Sequence, residues 1–436
     1  MKRSNHPSTA QAGRGAGRAE RWGAIFVAVL ILVVPAIVMP SARDSFALPK
    51  LVAAQALGLA SLLVLSFELF PAGRIAPWRL PVVRAVFPLL LVATSGLLFS
   101  PHRAVVATAV VALTIGSACL VGWSAGIRAR GLYTLLALLA IPATLLAAVG
   151  LLQASGLFQP FALSVASGNR MAVTSLAGNV GTLGAFLVLP ILIAQARVMK
   201  TRRWSLGWWW YLAVIAISFA ALVATRTLTP LLAAGMGTAC LWFVRLPRRR
   251  WLGLAAALVV SATLLAVGVA PVRSRVLAKW DAVRHGEVNA LLTGRLDGWR
   301  AALWMFERHP LLGVGQGAFV TEFIPAKRAL LAAGVKFDVY QFTPVFSHAH
   351  NELLEVAAEL GLLGLAALGW GLFILARTIR GVRTTTGPER ALLWGGLAAL
   401  AVLSLADFPF RLALVGYPAV LFLAWVFRFA AESEGR

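Results

Sequence analysis

Predominantly apolar blocks of about 16 to 27 residues recur along this chain, not apolar residues at alternate positions or on one helical stripe. A helix rises about 1.5 Å per residue, so a block of that length covers the ~30 Å hydrocarbon core of a bilayer. Segments at about 22–40, 51–70, 82–99, 104–125, 132–152, 171–195, 208–225, 227–244, 251–270, 350–376, 391–406 and 412–430 meet this requirement. Twelve spans of an all-α polytopic membrane protein are therefore expected, because helices close their own backbone hydrogen bonds within lipid. The Gly/Ser/Arg-rich stretch 1–21 reads as a disordered tail, and 431–436 as a short tail at the other end.

One interruption is long. Residues 271–349 separate the ninth expected span from the tenth, and loops of this length inside a compact fold are functional or folded. In TGRLDGWRAALWMFER (293–308), Arg295, Trp299, Ala302, Leu303 and Phe306 share one helical face, with Asp297, Arg300 and Arg308 on the other. The pattern is that of an amphipathic helix lying on a membrane surface. A guanidinium on the apolar face needs a carboxylate or an anionic ligand. The following HPLLGVGQGAF (309–319) carries glycines at 313, 315 and 317. No βαβ unit surrounds them, so a dinucleotide fingerprint is excluded. A tight turn returning the loop over the membrane domain is expected.

Composition agrees with the pattern: 60% of the 436 residues are hydrophobic and 13% charged, with mean hydropathy +0.82. The net charge of +24 does not point to nucleic acid, because the Lys and Arg cluster between apolar blocks as the positive-inside rule requires. Arg74/Arg79/Arg84, Arg128/Arg130, Arg197/Lys200/Arg202/Arg203, Arg245/Arg248/Arg249/Arg250 and Arg377/Arg380/Arg383/Arg390 fall on one side. That bias puts both termini in the cytoplasm and 271–349 on the outer side. The first block follows Lys2, Arg3, Arg14, Arg18 and Arg21 without a small-x-small cleavage site, so a retained first span is expected. Cys119 and Cys240 lie inside apolar blocks and suggest neither a disulfide nor a metal cluster.

Candidate chemistry gathers in SHAHNELLEVAAELGLLGL (347–365), where polar residues open an apolar block. Asn351 suits an N-cap, with Glu352 and Glu355 in the first turn, where the helix dipole favours anions. His350 then precedes the cap at the positive helix end. A cation is disfavoured there, so a neutral imidazole able to accept a proton is expected. The helix end also offers N–H groups to an anion, a pairing that suits chemistry on a phosphorylated donor. Ala357, Gly361 and Gly364 would let a neighbouring helix approach. Glu359, on the order of 10 Å along the helix, needs a cationic or hydrogen-bonding partner. Arg226 in ATRTLTP (224–230), Asp407 and Arg411 in ADFPFR (406–411), Arg103 and Arg170 all mark short outer turns. Several arginines on one surface could clamp a diphosphate. For Arg103, Arg170 and Arg411, snorkelling or an ion pair explains the residue equally well.

These features together resemble the O-antigen ligase / O-antigen polymerase superfamily of membrane glycosyltransferases. Its ligase signature, His, then Asn/Ser/Gln, nine residues and Gly-x-x-Gly, fits His350, Asn351, Gly361 and Gly364. GRLDGWRAALWMFERHPLLGVGQGAF (294–319) resembles the Arg…Trp…Pro-x-x-Gly-x-Gly segment and supplies Arg295. Thr225-Arg226 matches a Thr/Ser-Arg pair, and AGNVGTLGAFLVLP (177–190), with Gly178 and Asn179, resembles another family segment. The resemblance covers roughly 170–370. Leu365 departs from the Thr that ligases often carry there.

The resemblance implies a GT-C-like fold in the bacterial inner membrane, with 271–349 as a large periplasmic loop between spans 22–270 and 350–430. It implies transfer of a glycan from undecaprenyl diphosphate to an acceptor hydroxyl, lipid A core being favoured, with inversion. His350 would be the general base, Arg226 and Arg295 the diphosphate clamps, and Asn351, Glu355, Glu359 and Arg411 supporting residues. No metal or other cofactor is implied, since arginines neutralise the leaving group, and the other partners are membrane lipids and not nucleic acid. A growing glycan as acceptor would make the chain a polymerase, and a protein side chain an oligosaccharyltransferase. A lipid-glycan flippase is the main rival outside enzymes, but it would lead one to expect an internal repeat and discontinuous helices meeting near the midplane. A membrane scaffold leaves His350 and Arg295 unexplained.

Overall fold

In the computed structural model, the described residues are 9–42, 44–69, 79–159, 170–268, 270–337, 346–384 and 387–434. They form helices and connecting turns, with no strand among them. In chain order the α-helices are α1 (Thr9–Val33), α2 (Ala47–Leu69), α3 (Pro81–Phe99), α4 (Arg103–Gly126), α5 (Ala129–Leu138), α6 (Ala140–Ala154), α7 (Val180–Lys200), α8 (Leu206–Thr225) and α9 (Leu228–Arg245). Next come α10 (Trp251–Gly268), α11 (Ala270–Arg284), α12 (Val288–Leu291), α13 (Arg295–Arg308), α14 (Phe319–Ala332), α15 (Glu352–Ile379), α16 (Pro388–Ala406) and α17 (Ala413–Glu434).

Eleven helical segments among the described residues are long and apolar enough to cross a membrane. They coincide with eleven of the twelve expected spans. The twelfth, 251–270, falls on α10, and several of its residues lie outside the described side chains. The span expected from 171 begins later, at Val180. Gly178 turns left-handed (φ 76°), and the Asn179 side chain accepts from the N–H groups of Gly181 and Thr182 at 2.7 and 3.3 Å. Both features start a helix there rather than continue one.

Of the stretch 1–21 expected to be a disordered tail, residues 1–8 lie outside the described residues, and α1 begins at Thr9. Ala and Arg favour helix there despite the glycines, and Glu20 holds Arg128 by an ion pair of 3.0 Å while accepting its backbone N–H.

Helices α9 and α16 run antiparallel at backbone contact. A Cβ on Gly237 would stand 2.9 Å from the Gly395 carbonyl oxygen and 3.0 Å from Ala399 Cβ, and one on Gly395 would meet Leu241 at 2.8 Å. That register brings the start of α9, just after Arg226, to the end of α16, just before Asp407. The start of α15 is tied to the same end, because Asn351 Nδ2 donates to the Leu405 carbonyl at 2.9 Å.

Candidate active site

The site sits where α15 begins, and its backbone explains its position. Asn351 accepts from the N–H groups of Leu353 and Leu354 at 3.0 and 3.1 Å, so the helix starts at Glu352 as its cap dictates. His350, one residue earlier, is left-handed (φ 55°). Arg226 has the same backbone (φ 52°), and Thr293 (φ 59°) and Gly294 (φ 81°) lead into Arg295. Left-handed non-glycine residues persist where surrounding contacts over-determine them, and they gather at functional sites.

Arg226 caps α8, its N–H donating to Val223 at 3.0 Å. The hydroxyls of Thr225 and Thr227 bond across it at 2.7 Å, and its side chain makes no hydrogen bond or ion pair among the described residues. The register of α9 and α16 places it at the end of the bundle that holds Asp407 and His350.

Arg295 opens α13 one turn before Gly298, on the same stripe. Gly298 lies against the backbone between the two histidines: a Cβ there would be 3.3 Å from the Ala349 carbonyl oxygen. The face predicted for α13 needs correction. Asp297, Gly298, Ala301, Ala302 and Met305 are buried, whereas Leu303 is 46% exposed. The side packed against the protein is therefore the Asp297, Gly298, Ala301 and Met305 side, and Leu303 faces outward. Asp297 is tolerated there because Asn289 Nδ2 donates to it at 2.8 Å.

The two histidines have different partners. His348 Nδ1 lies 2.6 Å from Glu355 Oε1, and Glu355 Oε2 accepts the Ala349 N–H at 3.1 Å. His350 Nδ1 lies 3.5 Å from Asp407 Oδ1. Phe408 covers both imidazoles, at centroid distances of 4.2 and 4.8 Å, and Phe346 meets His350 edge-on at 5.8 Å.

Arg411 is not poised as a phosphate clamp, because the glutamates occupy it. Its Nε lies 3.2 Å from Glu355 Oε1 and 3.5 Å from Glu352 Oε2, and its Nη2 lies 2.9 Å from Glu359 Oε2. Burial works against this cation, but Glu355, Glu359 and Glu352 outweigh it and hold its pKa above the usual arginine range. Arg411 is thus the partner that Glu359 needs. Of the other outer-turn arginines, Arg103 donates to the Leu98 carbonyl at 3.4 Å, while the Arg170 side chain lies outside the described set.

The glycine-rich segment does return over the helices, and its seat is unexpected. Gly361 is not helical (φ 64°, ψ −158°) and breaks α15. Into the break fits the backbone of 310–315. Leu362 and Leu363 N–H donate to the Pro310 and Leu311 carbonyls at 2.7 and 3.1 Å, while Val314 and Gly315 N–H donate to those of Ala358 and Glu359 at 3.0 and 2.9 Å. The expectation that Gly361 admits a neighbouring helix is corrected: it admits this loop. The N–H of Phe319 also reaches Glu359 Oε1 at 3.3 Å. Ser100 Oγ donates to the Val314 carbonyl at 2.8 Å, and His102 Nε2 lies 2.8 Å from Glu322 Oε1, anchoring the loop on the turn between α3 and α4.

Sequence reasoning named Asp407 only as a turn residue and passed over Phe346 and Phe408. No spacing signal links 346–350 with 407–408, because the chain crosses the bundle twice between them.

Residues 212–369 match the O-antigen ligase family model. No curated protein matches the chain. The matched segment holds Arg226, Arg295, His350, Asn351 and the interlocked glycines 313 and 361. Over that segment the chain, a multi-pass helical membrane protein, is similar to the O-antigen ligase family.

Proposed function

We propose that the chain transfers a glycan from undecaprenyl diphosphate to an acceptor hydroxyl on the periplasmic side of the bacterial inner membrane, lipid A core being the favoured acceptor. The observation that carries this reading is His350. It is held in a left-handed backbone at the N-terminus of α15, with Asp407 beside Nδ1 and two aromatic rings around it. Asp407 Oδ1 stands 3.5 Å from a buried Nδ1 that makes no hydrogen bond, and closing that gap would leave Nε2 as proton acceptor. His350 takes the acceptor proton and the acceptor oxygen attacks the anomeric carbon. The C–O bond to the diphosphate breaks on the opposite face, inverting the centre. Arg226 and Arg295 stabilise the charge that develops on the departing diphosphate. Asn351 and Glu355 hold the corner, while Glu359 and Arg411 hold it from beneath.

In this reading residues 271–349 form the periplasmic loop between spans 22–270 and 350–430, and both termini are cytoplasmic. The left-handed turn at Arg226, whose guanidinium makes no hydrogen bond or ion pair among the described residues, favours an enzyme acting on an anionic headgroup over a scaffold. Polymerase and protein-glycosylating variants share this donor chemistry and differ in acceptor. The test is purified protein in nanodiscs with undecaprenyl-diphosphate-linked glycan and lipid A core. Wild type should release undecaprenyl diphosphate, and His350→Ala should release none while unfolding at the same temperature. Undiminished turnover by His350→Ala would refute the assignment.

A further inference from the structure

The matched segment ends at residue 369, yet the turn between α16 and α17, DFPFR (407–411), touches the histidine corner along its length. Asp407 lies beside His350 and Phe408 against both imidazoles. The Phe410 N–H donates to Glu352 Oε1 at 3.3 Å, and Arg411 reaches three glutamates of α15. Pro409 opens the short 3-10 turn Pro409–Arg411, which presets the backbone.

We propose that this turn is the positioning template of the site, with Arg411 as the positioning residue that acts on His350 through Glu355. Glu355 and Glu359 stand one turn apart on α15, and the guanidinium meets one with Nε and the other with Nη2. Glu355, so held, takes His348 Nδ1 and the Ala349 N–H. Ala349 immediately precedes His350, whose left-handed backbone is costly unless its neighbours fix it. The path from Arg411 to the bend at His350 is therefore Arg411, Glu355, Ala349. A role limited to neutralising buried carboxylates needs a cation only. A positioning role needs the planar fork, which lysine cannot supply. The catalytic part of this inference rests on the function proposed above.

Two substitutions test it: Arg411→Lys, which keeps the charge, and Phe408→Leu, which keeps apolar bulk without the flat face. Each is compared with wild type in nanodiscs by thermal unfolding, by release of undecaprenyl diphosphate, and by diethyl pyrocarbonate modification of His348 and His350 mapped by mass spectrometry. Folded variants should show kcat reduced about tenfold or more with KM for the donor nearly unchanged, since misplaced catalytic groups act on the chemical step. Modification at the histidines should change by about threefold or more as the corner loosens. Folded Arg411→Lys with wild-type kcat and wild-type histidine reactivity would overturn the proposal. If that variant does not fold, Phe408→Leu decides alone, and loss of fold in both counts against positioning. Should wild type release no undecaprenyl diphosphate, the function fails separately, while histidine reactivity still judges the template.

Discussion

Three carboxylates converge on Arg411, and such a buried cluster costs heavily when its cation is removed, whatever it gains when intact. Arg411→Ala is expected to destabilise the protein by about 3–5 kcal/mol, the usual cost of leaving buried charges unpaired. A thermal unfolding midpoint within error of wild type would contradict it. Arg295 is judged by a different criterion. If it grips two phosphate oxygens, Arg295→Lys keeps the charge but loses the paired hydrogen bonds, and donor turnover should fall about tenfold or more. Unchanged kcat/KM would remove the paired contact. Residue type was legible at these positions, since an arginine in a short outer turn and a glutamate inside a span both demand partners. Which partner each finds was not, and Arg411 proved to belong to Glu359 and its neighbours.

At the scale of elements, α15 and the 310–315 loop are one interlocked unit. A Cβ on Gly313 would stand 2.2 Å from the Glu359 carbonyl carbon, and one on Gly361 2.4 Å from that of Leu311. Both glycines are left-handed and both clashes are with backbone, which cannot move aside. Gly313→Ala and Gly361→Ala should each cost at least about 2 kcal/mol. Gly286 is also left-handed (φ 68°) but faces open space, so Gly286→Ala should cost only about 1–2 kcal/mol of backbone strain. Thermal unfolding of the three variants checks the order, and equal losses would refute the interlock. The glycine spacings in both segments were visible in the chain. Their meaning was not, because Gly361 inside an apolar block reads as a small residue for helix packing until the loop that fills the break is seen.

At the scale of the whole molecule, the ends of α8, α9, α15 and α16 share one side of the bundle, together with α13. We propose, from the charge bias of the short segments, that this side faces outward. Single cysteines introduced at Glu287 and at Trp204, in a background with Cys119 and Cys240 replaced, test this with a membrane-impermeant maleimide on intact spheroplasts. Glu287→Cys should be labelled and Trp204→Cys protected. The reverse pattern would turn the site inward and remove the proposed function. The chain alone determined the helical class and most of the spans, because lipid leaves the backbone no alternative and span length is a property of local sequence. It also marked His350 and Asn351, because capping is local. The clasp of α15 by the glycine loop, the packed face of α13 and the seat of the histidines on 407–411 were decided only by tertiary structure. Each depends on which distant backbone arrives at a given helix end, and periodicity within one segment carries no record of that.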